Sequence, residues 1–263
     1  MEDARTVDTE DYAVLFELDR LRAEAKGVKP APVRSYDCVV LDEAQELAPL
    51  ELALVGRALA EEGTLIVAGD ADQQVDPTAS FTSWDETMAE LRCAGHERAV
   101  LDVSYRCPPE VTALARRVLA PSVPCEQSKA GSVIARRFDE ELHQVAWLID
   151  GLRALQEVDP AIPVALILRT PEAARRLASL LRRGLGVRLA LGGDFDLLAG
   201  INVTCVQEVK GLEFDTVIVP DASAGVYGAT AQASRALYVA LTRATRQLVL
   251  STVGDWSPLA RFE

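Results

Sequence analysis

The chain has no G-x-x-x-x-G-K-[ST] loop, and so lacks the backbone N–H groups, lysine and hydroxyl that such a loop gathers around a triphosphate. Neither G-x-S-x-G nor G-x-G-x-x-G occurs, which leaves an α/β hydrolase or a dinucleotide-dependent dehydrogenase without support. No apolar run approaches the roughly 20 residues that span a bilayer, and the first twenty positions are too acidic for a signal or transit peptide. The expectation is a cytoplasmic protein with no membrane partner. Two histidines, His96 and His143, and five cysteines without a C-x-x-C pair argue against zinc. Lysine is confined to positions 26, 29, 129 and 210, so any phosphate chemistry rests mostly on arginine. A basic footprint is also missing: the net charge is −13, and residues 1–122 carry 24 acids against 12 bases. Nucleic-acid binders usually show the opposite balance, because phosphate contacts dominate their affinity.

What is present is 263 residues, 49% of them apolar, enough to bury one large core or two modest ones. Residues 11–26 place Val14, Leu15, Leu18 and Leu21 at helical spacing, and Gly27, Pro30 and Pro32 end that pattern. Apolar strand-like runs follow at 36–41, 64–68 and 99–103, with helical patterns at 49–60 and 108–119. The stretch 120–131 holds Pro121, Pro124, Ser128 and Gly131 without a periodic apolar face, and reads as a linker. Beyond it, strands near 132–138, 163–168, 201–206, 215–219 and 247–252 alternate with helices near 140–157, 171–184 and 231–244. Short, nearly continuous apolar strands alternating with helices predict parallel sheets covered on both faces, hence an α/β fold in two domains, 1–122 and 123–263.

Five patterns carry candidate chemistry. Asp42-Glu43-Ala44-Gln45 ends an apolar strand. Mg²⁺ takes hard oxygen ligands, so Asp42 at a strand tip suits the metal and Glu43 a nucleophilic water, although acids also commonly precede a helix such as the one at Pro49. Gly69-Asp70-Ala71-Asp72-Gln73 ends the next strand, and the Gln73 amide suits a phosphate oxygen or a polar turn. Ser104-Tyr105-Arg106-Cys107-Pro108 sets an aromatic beside an arginine just before a helix, a pairing suited to stacking on a base and gripping a phosphate. Lys210-Gly211-Leu212-Glu213-Phe214 lies between two strands as a tight turn with an acid beyond it. Finally, Tyr238-Val239-Ala240-Leu241-Thr242-Arg243-Ala244 ends a helix on an arginine, which also complements the helix dipole.

Taken in this order, the five stations resemble the C-terminal part of superfamily 1 helicases of the UvrD/Rep type: D-E-x-Q, G-D-x-x-Q, x-Y-R-S, K-G-L-E-F and Y-V-x-x-T-R-A. The resemblance covers residues from about 36 to 252 and implies two RecA-like parallel-sheet domains, the first incomplete. It implies ATP and Mg²⁺ as ligands, with Asp42 on the metal, Glu43 activating water and Gln73 sensing the γ-phosphate. Tyr105 would stack on adenine, Arg106 and Arg243 would act as arginine fingers, Lys210 and Gly211 would lie against the nucleotide, and Glu213 would hold the ribose. Single-stranded DNA is the implied partner.

The chain departs from the pattern in three ways. The phosphate-binding loop is absent, about 105 residues separate Arg106 from Lys210 and leave no room for the large helical insertion of UvrD-type enzymes, and Val75-Asp76-Pro77-Thr78-Ala79 replaces the aromatic-Arg-Gly after the glutamine. Phe81 and Trp84 are then the nearby rings for base stacking. The expected function is the C-terminal portion of an ATP-dependent DNA helicase or translocase, inactive alone as an ATPase. Ala48-Pro49, Pro108-Pro109-Glu110 and the Leu-Tyr-Val-Ala-Leu-Thr-Arg-Ala-Thr run are similar to the HelD branch, which implies the alternative of a non-catalytic module bound to RNA polymerase or another protein. An incomplete first sheet is also expected to expose apolar surface and to favour a homodimer, unless the N-terminal helix covers it.

Overall fold

The computed structural model describes residues 11–74, 81–93, 95–101, 106–120, 131–193, 200–260 and 262. The chain divides into two compact units, residues 1–100 and 101–263.

In the first unit, helix α1 (Asp11–Ala25) precedes strand β1 (Tyr36–Leu41), helix α2 (Pro49–Ala58), strand β2 (Leu59–Val67) and helix α3 (Trp84–Glu90). Proline at the start of α2 has no N–H to leave unpaired, and the Glu51 carboxylate accepts from the Ala48 N–H to cap that end. Strands β1 and β2 pair in parallel, with Val40 beside Ile66 and Leu41 beside Val67. One face of this two-stranded sheet is packed: Leu41, Leu65 and Val67 lie on Leu52 of α2, on Met88 of α3 and on Leu91 just past its end. The other face, carrying Tyr36, Cys38, Val40, Thr64 and Ile66, is exposed to solvent. Residues 99–101 form no strand and Leu101 is 95% exposed, whereas 102–103 lie outside the described residues.

The second unit is built around a six-stranded parallel sheet. Its elements are α4 (Pro109–Leu119), β3 (Val133–Phe138), α5 (Glu141–Val158), β4 (Pro163–Leu168), α6 (Pro171–Leu181), β5 (Arg188–Leu189), β6 (Gly200–Cys205), β7 (Phe214–Val219), α7 (Ala231–Leu241) and β8 (Ala244–Val253). The strands run in the order β3-β8-β7-β4-β6-β5. Val164, Leu166 and Leu168 of β4, Ile201 and Val203 of β6, Ile218 of β7 and Val249 of β8 form a core with α5 and α6 on one face. On the other face, buried Ala233, Ala236, Leu237 and Ala240 give α7 an apolar side, and α7 also packs against α4. Thr170 and Thr230 cap α6 and α7 by accepting from the N–H groups of Ala173 and Ala233.

The fold is thus α/β with parallel sheets, the first of them incomplete. Helix α4 belongs to the second unit: Glu110 accepts from the N–H groups of Gly131 and Ser132 and from the Ser132 hydroxyl, tying α4 to the entrance of β3. The sequence sets the boundary at 122, at the edge of a stretch of which 121–130 lie outside the described residues. Among the described residues, no helix is long and apolar enough to cross a membrane.

Candidate functional site

In the first unit the sequence-predicted acids gather where β1 and β2 end. Asp42 is exposed, and its Oδ1 accepts from the Glu43 N–H at 2.9 Å. Glu43 takes a left-handed backbone conformation, φ 53° and ψ 38°, an uncommon and strained one for a residue with a Cβ. Parallel pairing continues past the strands, because the Ala68 N–H donates to the Leu41 carbonyl and the Ala44 N–H to the Ala68 carbonyl. The two tips are therefore locked side by side.

Gln45 links them. Its side chain is fully buried, its Nε2 donates to the Glu43 carboxylate at 2.6 Å, and its Oε1 accepts from the Asp70 N–H at 3.1 Å. Asp70 in turn accepts from the Asp72 N–H and from Gln73 Nε2, the latter at 2.9 Å. Asp42, Glu43 and Gln73 thus share one network, whose connectors, Gln45 and Asp70, the sequence reading quoted within their motifs but did not number among the site residues. Gly69 is required for the same reason: a Cβ there would stand 2.2 Å from Gln45 Oε1 and 2.7 Å from the Trp84 ring. Trp84 also meets Phe81 edge to face, centroids 5.0 Å apart. Phe81 lines a cavity of about 140 Å³ with Leu47, Pro49, Leu52, Glu86 and Glu90.

In the second unit three predicted stations meet at the amino-terminal edge of β7 and β8. Arg106 Nε lies 2.5 Å from Glu213 Oε1, both side chains being more than two-fifths exposed. The neighbouring Cys107 thiol donates to the Thr242 carbonyl at 3.3 Å. Arg243 is only 1% exposed; its Nε donates to the Val239 carbonyl, one terminal nitrogen to the Thr242 hydroxyl and the other, at 3.5 Å, to the Leu212 carbonyl. Residues 106–107, 212–213 and 242–243 therefore form a closed circuit of contacts, joined also by the Phe214 N–H donating to the Arg243 carbonyl. Gly211 sits in the turn at φ 70°, where a Cβ would be strained, and Lys210 beside it is half-buried. Tyr105 lies outside the described residues.

The two arginines differ in what they offer. An exposed ion pair such as Arg106–Glu213 is worth ~0–1 kcal/mol, so a multiply charged anion can draw Arg106 away from its carboxylate. Arg243 is embedded among main-chain oxygens and holds the Leu212 turn against the end of α7.

Half-buried Asp221 and buried Tyr227, which the sequence reading did not single out, lie at the opposite, carboxyl-terminal edge. Asp221, just past β7, accepts from the Arg169 N–H at 2.9 Å. Burial pushes its carboxyl up to about 6 despite that hydrogen bond. Burial likewise raises the Tyr227 hydroxyl well above its usual range. Asp221 Oδ1 and Tyr227 Oη have no hydrogen-bond partner among the described residues. The available signal was an acid directly after the apolar run of β7.

Against known proteins, residues 201–251 match the family model of the UvrD-like helicase C-terminal domain, a span that holds both the K-G-L-E-F turn and the T-R-A helix end. Within the second unit, that stretch is similar to a UvrD-like helicase C-terminal domain. Among solved structures, the C-terminal domain of a possible DNA helicase from Lactobacillus plantarum WCFS1 is similar to this chain at 28% identity. That likeness covers 60% of this chain and 92% of the other, with a TM-score of 0.49. No curated protein matches the chain.

Proposed function

We propose that the chain is the C-terminal portion of an ATP-dependent DNA helicase or translocase of the UvrD/Rep type, and that alone it does not turn over ATP. The observation that carries this reading is the closed circuit of Arg106, Glu213, Leu212, Arg243 and Thr242, three motif stations far apart in sequence yet joined within one unit.

The residues present fit part of a Mg²⁺–ATP site. Asp42 is an exposed carboxylate at a strand tip, suited to a hard cation that keeps most of its waters, and Glu43 beside it is suited to orient a water. Gln73 is positioned through Asp70 next to them. In the second unit, Arg106 and Lys210 offer cationic groups, Tyr105 a ring for the base and Glu213 an acceptor for a ribose hydroxyl, while buried Arg243 braces the turn beside them. The backbone cradle that holds the β- and γ-phosphates is not encoded in these residues. Bound ATP would supply the phosphoryl group whose transfer drives translocation. The chain's own part is to hold the acids and the Gln73 amide in fixed register, and to keep Arg106 beside Glu213 on a turn that Arg243 braces. Single-stranded DNA is the proposed substrate track, with Phe81 and Trp84 as stacking candidates, and the cytoplasm the proposed location.

The acidity of residues 1–122 favours a second reading, a HelD-like non-catalytic module that docks on RNA polymerase or another protein. Titrating a labelled single-stranded oligonucleotide across a salt series separates the two. The helicase reading expects binding that weakens steeply as salt rises, because phosphate contacts release counterions. No DNA binding at low salt would contradict it and favour the protein-docking module.

A further inference from the structure

Positive charge gathers in one stretch of this acidic chain. The net charge is −13, yet residues 173–193 hold Arg175, Arg176, Arg182, Arg183 and Arg188 and no acid. The first four belong to α6 and the turn that ends it. Ala174, Leu177, Ala178 and Leu181 bury one side of α6 in the core, which leaves those four arginines on its exposed side. The dipole at a helix C-terminus favours cations in the last turn, but Arg175 and Arg176 stand in mid-helix, where that preference has faded.

These guanidinium groups are weakly held. Arg175 lies 3.5 Å from the Glu172 carboxylate and Arg176 2.6 Å from that of Glu141, and both arginines are more than half exposed, so water and salt screen each pair. Where α6 ends, the contacts are to carbonyls: Arg182 Nε donates to Val187 at 3.4 Å, and Arg153 of α5 donates to Gly184, next to Arg183, at 2.7 Å. Among the described residues Arg153, Arg182 and Arg183 take part in no ion pair, although Asp150 and Glu157 stand about one turn to either side of Arg153 on α5.

We propose that the outer side of α6, with Arg153 beside its end, is a docking surface for the phosphate backbone of duplex nucleic acid. Guanidinium groups grip phosphate in a bidentate way. Arg175 and Arg182, like Arg176 and Arg183, are seven residues apart, a rise of about 10 Å over which one strand of a duplex presents about three phosphates. The exposed positions here are Glu172, Arg175, Arg176, Ser179, Arg182 and Arg183. They include no ring to stack on an unpaired base and no apolar anchor for a protein partner. The apolar side of α6 is buried in the core and so is closed to a lipid surface. The inference does not rest on the helicase reading, which concerns single strands and other residues.

Fluorescence anisotropy of a labelled duplex of about 20 base pairs, titrated with the full chain across a salt series, tests it. Binding should be indifferent to base sequence. In Arg182→Gln with Arg183→Gln, affinity at low salt should fall at least tenfold and the slope of log K against log salt should fall by about 2. Arg182→Lys with Arg183→Lys keeps both charges and should keep the slope, and Arg22→Gln, at an exposed position of α1, should change neither quantity. Circular dichroism checks that each variant folds. A second readout needs no variant: duplex should protect Arg182 and Arg183 of the unaltered chain from phenylglyoxal, mapped by mass spectrometry, and leave Arg22 reactive. The proposal is overturned by absence of duplex binding at low salt, by binding that the glutamine pair leaves unmoved, or by an equal loss in Arg22→Gln. Displacement of the duplex by poly-aspartate at equal charge also overturns it and assigns the surface to an acidic protein segment. Single-stranded binding without duplex binding removes this inference and leaves the helicase reading standing; duplex binding weakened by the glutamine pair, without single-stranded binding, does the reverse.

Discussion

Strand β4 of the second unit and strand β1 of the first are made of the same material and end differently. Val164 to Leu168 are each at most 4% exposed, with helices on both faces of their sheet. Along β1 the pattern alternates, and Tyr36, Cys38 and Val40 face solvent. A run of valine, isoleucine and leucine specifies an extended segment. Whether that segment is buried depends on the number of strands beside it and on helices encoded elsewhere in the chain. The second unit supplies six strands and its own covers, whereas the first supplies two strands and a cover for one face.

The contrast is sharpest under truncation. Leu166→Ala, in a fully buried position of β4, should destabilise the second unit by about 3–5 kcal/mol through lost transfer energy and the cavity left behind. Ile66→Ala on the bare face should change the first unit by no more than about 0.5 kcal/mol. Urea unfolding followed by signals specific to each unit measures both, and equal losses would break the comparison.

Next comes pH. The Asp221 carboxyl is raised from 3.8 to about 6, so the folded second unit holds that proton more tightly than the unfolded chain does. Its stabilising contribution is fully present below pH 3.8 and is lost as pH rises through about 6. The difference of roughly two units corresponds to ~3 kcal/mol. Asp221→Asn keeps an acceptor for the Arg169 N–H and removes the charge, and should therefore flatten this part of the stability profile between pH 4 and 6. An unchanged profile would show that Asp221 does not titrate there.

Smaller still is Gly69→Ala. The added methyl meets Gln45 Oε1, the Trp84 ring and the Ala44 N–H, and should cost the first unit about 1–3 kcal/mol while leaving the second untouched. Smallest is Glu213→Gln, which removes an exposed partner of Arg106 and should shift the second unit by no more than ~1 kcal/mol. A large loss from that substitution would mean that the ion pair, rather than Arg243, holds the circuit together.

The strands and helices of the second unit were legible because each is a short apolar run or an amphipathic repeat bounded by Gly, Pro or a capping threonine. Helix α3 was not anticipated, since seven residues with four acids or hydroxyls carry little periodic signal, and Ser83 alone marks its start by accepting from the Glu86 N–H. The run at 99–103 reads as a strand, yet its described residues, 99–101, form none. For the site, motif spacing named the acids at the two strand tips, but the Gln45 bridge and the exclusion of any side chain at Gly69 are three-dimensional facts. The resemblance implied an arginine finger at Arg243, and the fold holds its guanidinium buried among backbone carbonyls.

The most direct test is steady-state ATP hydrolysis by the purified chain with Mg²⁺ and saturating single-stranded DNA. With the carboxylate tips present and the phosphate cradle absent, turnover should not exceed the rate seen with Glu43→Gln. DNA-stimulated hydrolysis that Glu43→Gln abolishes would contradict the account.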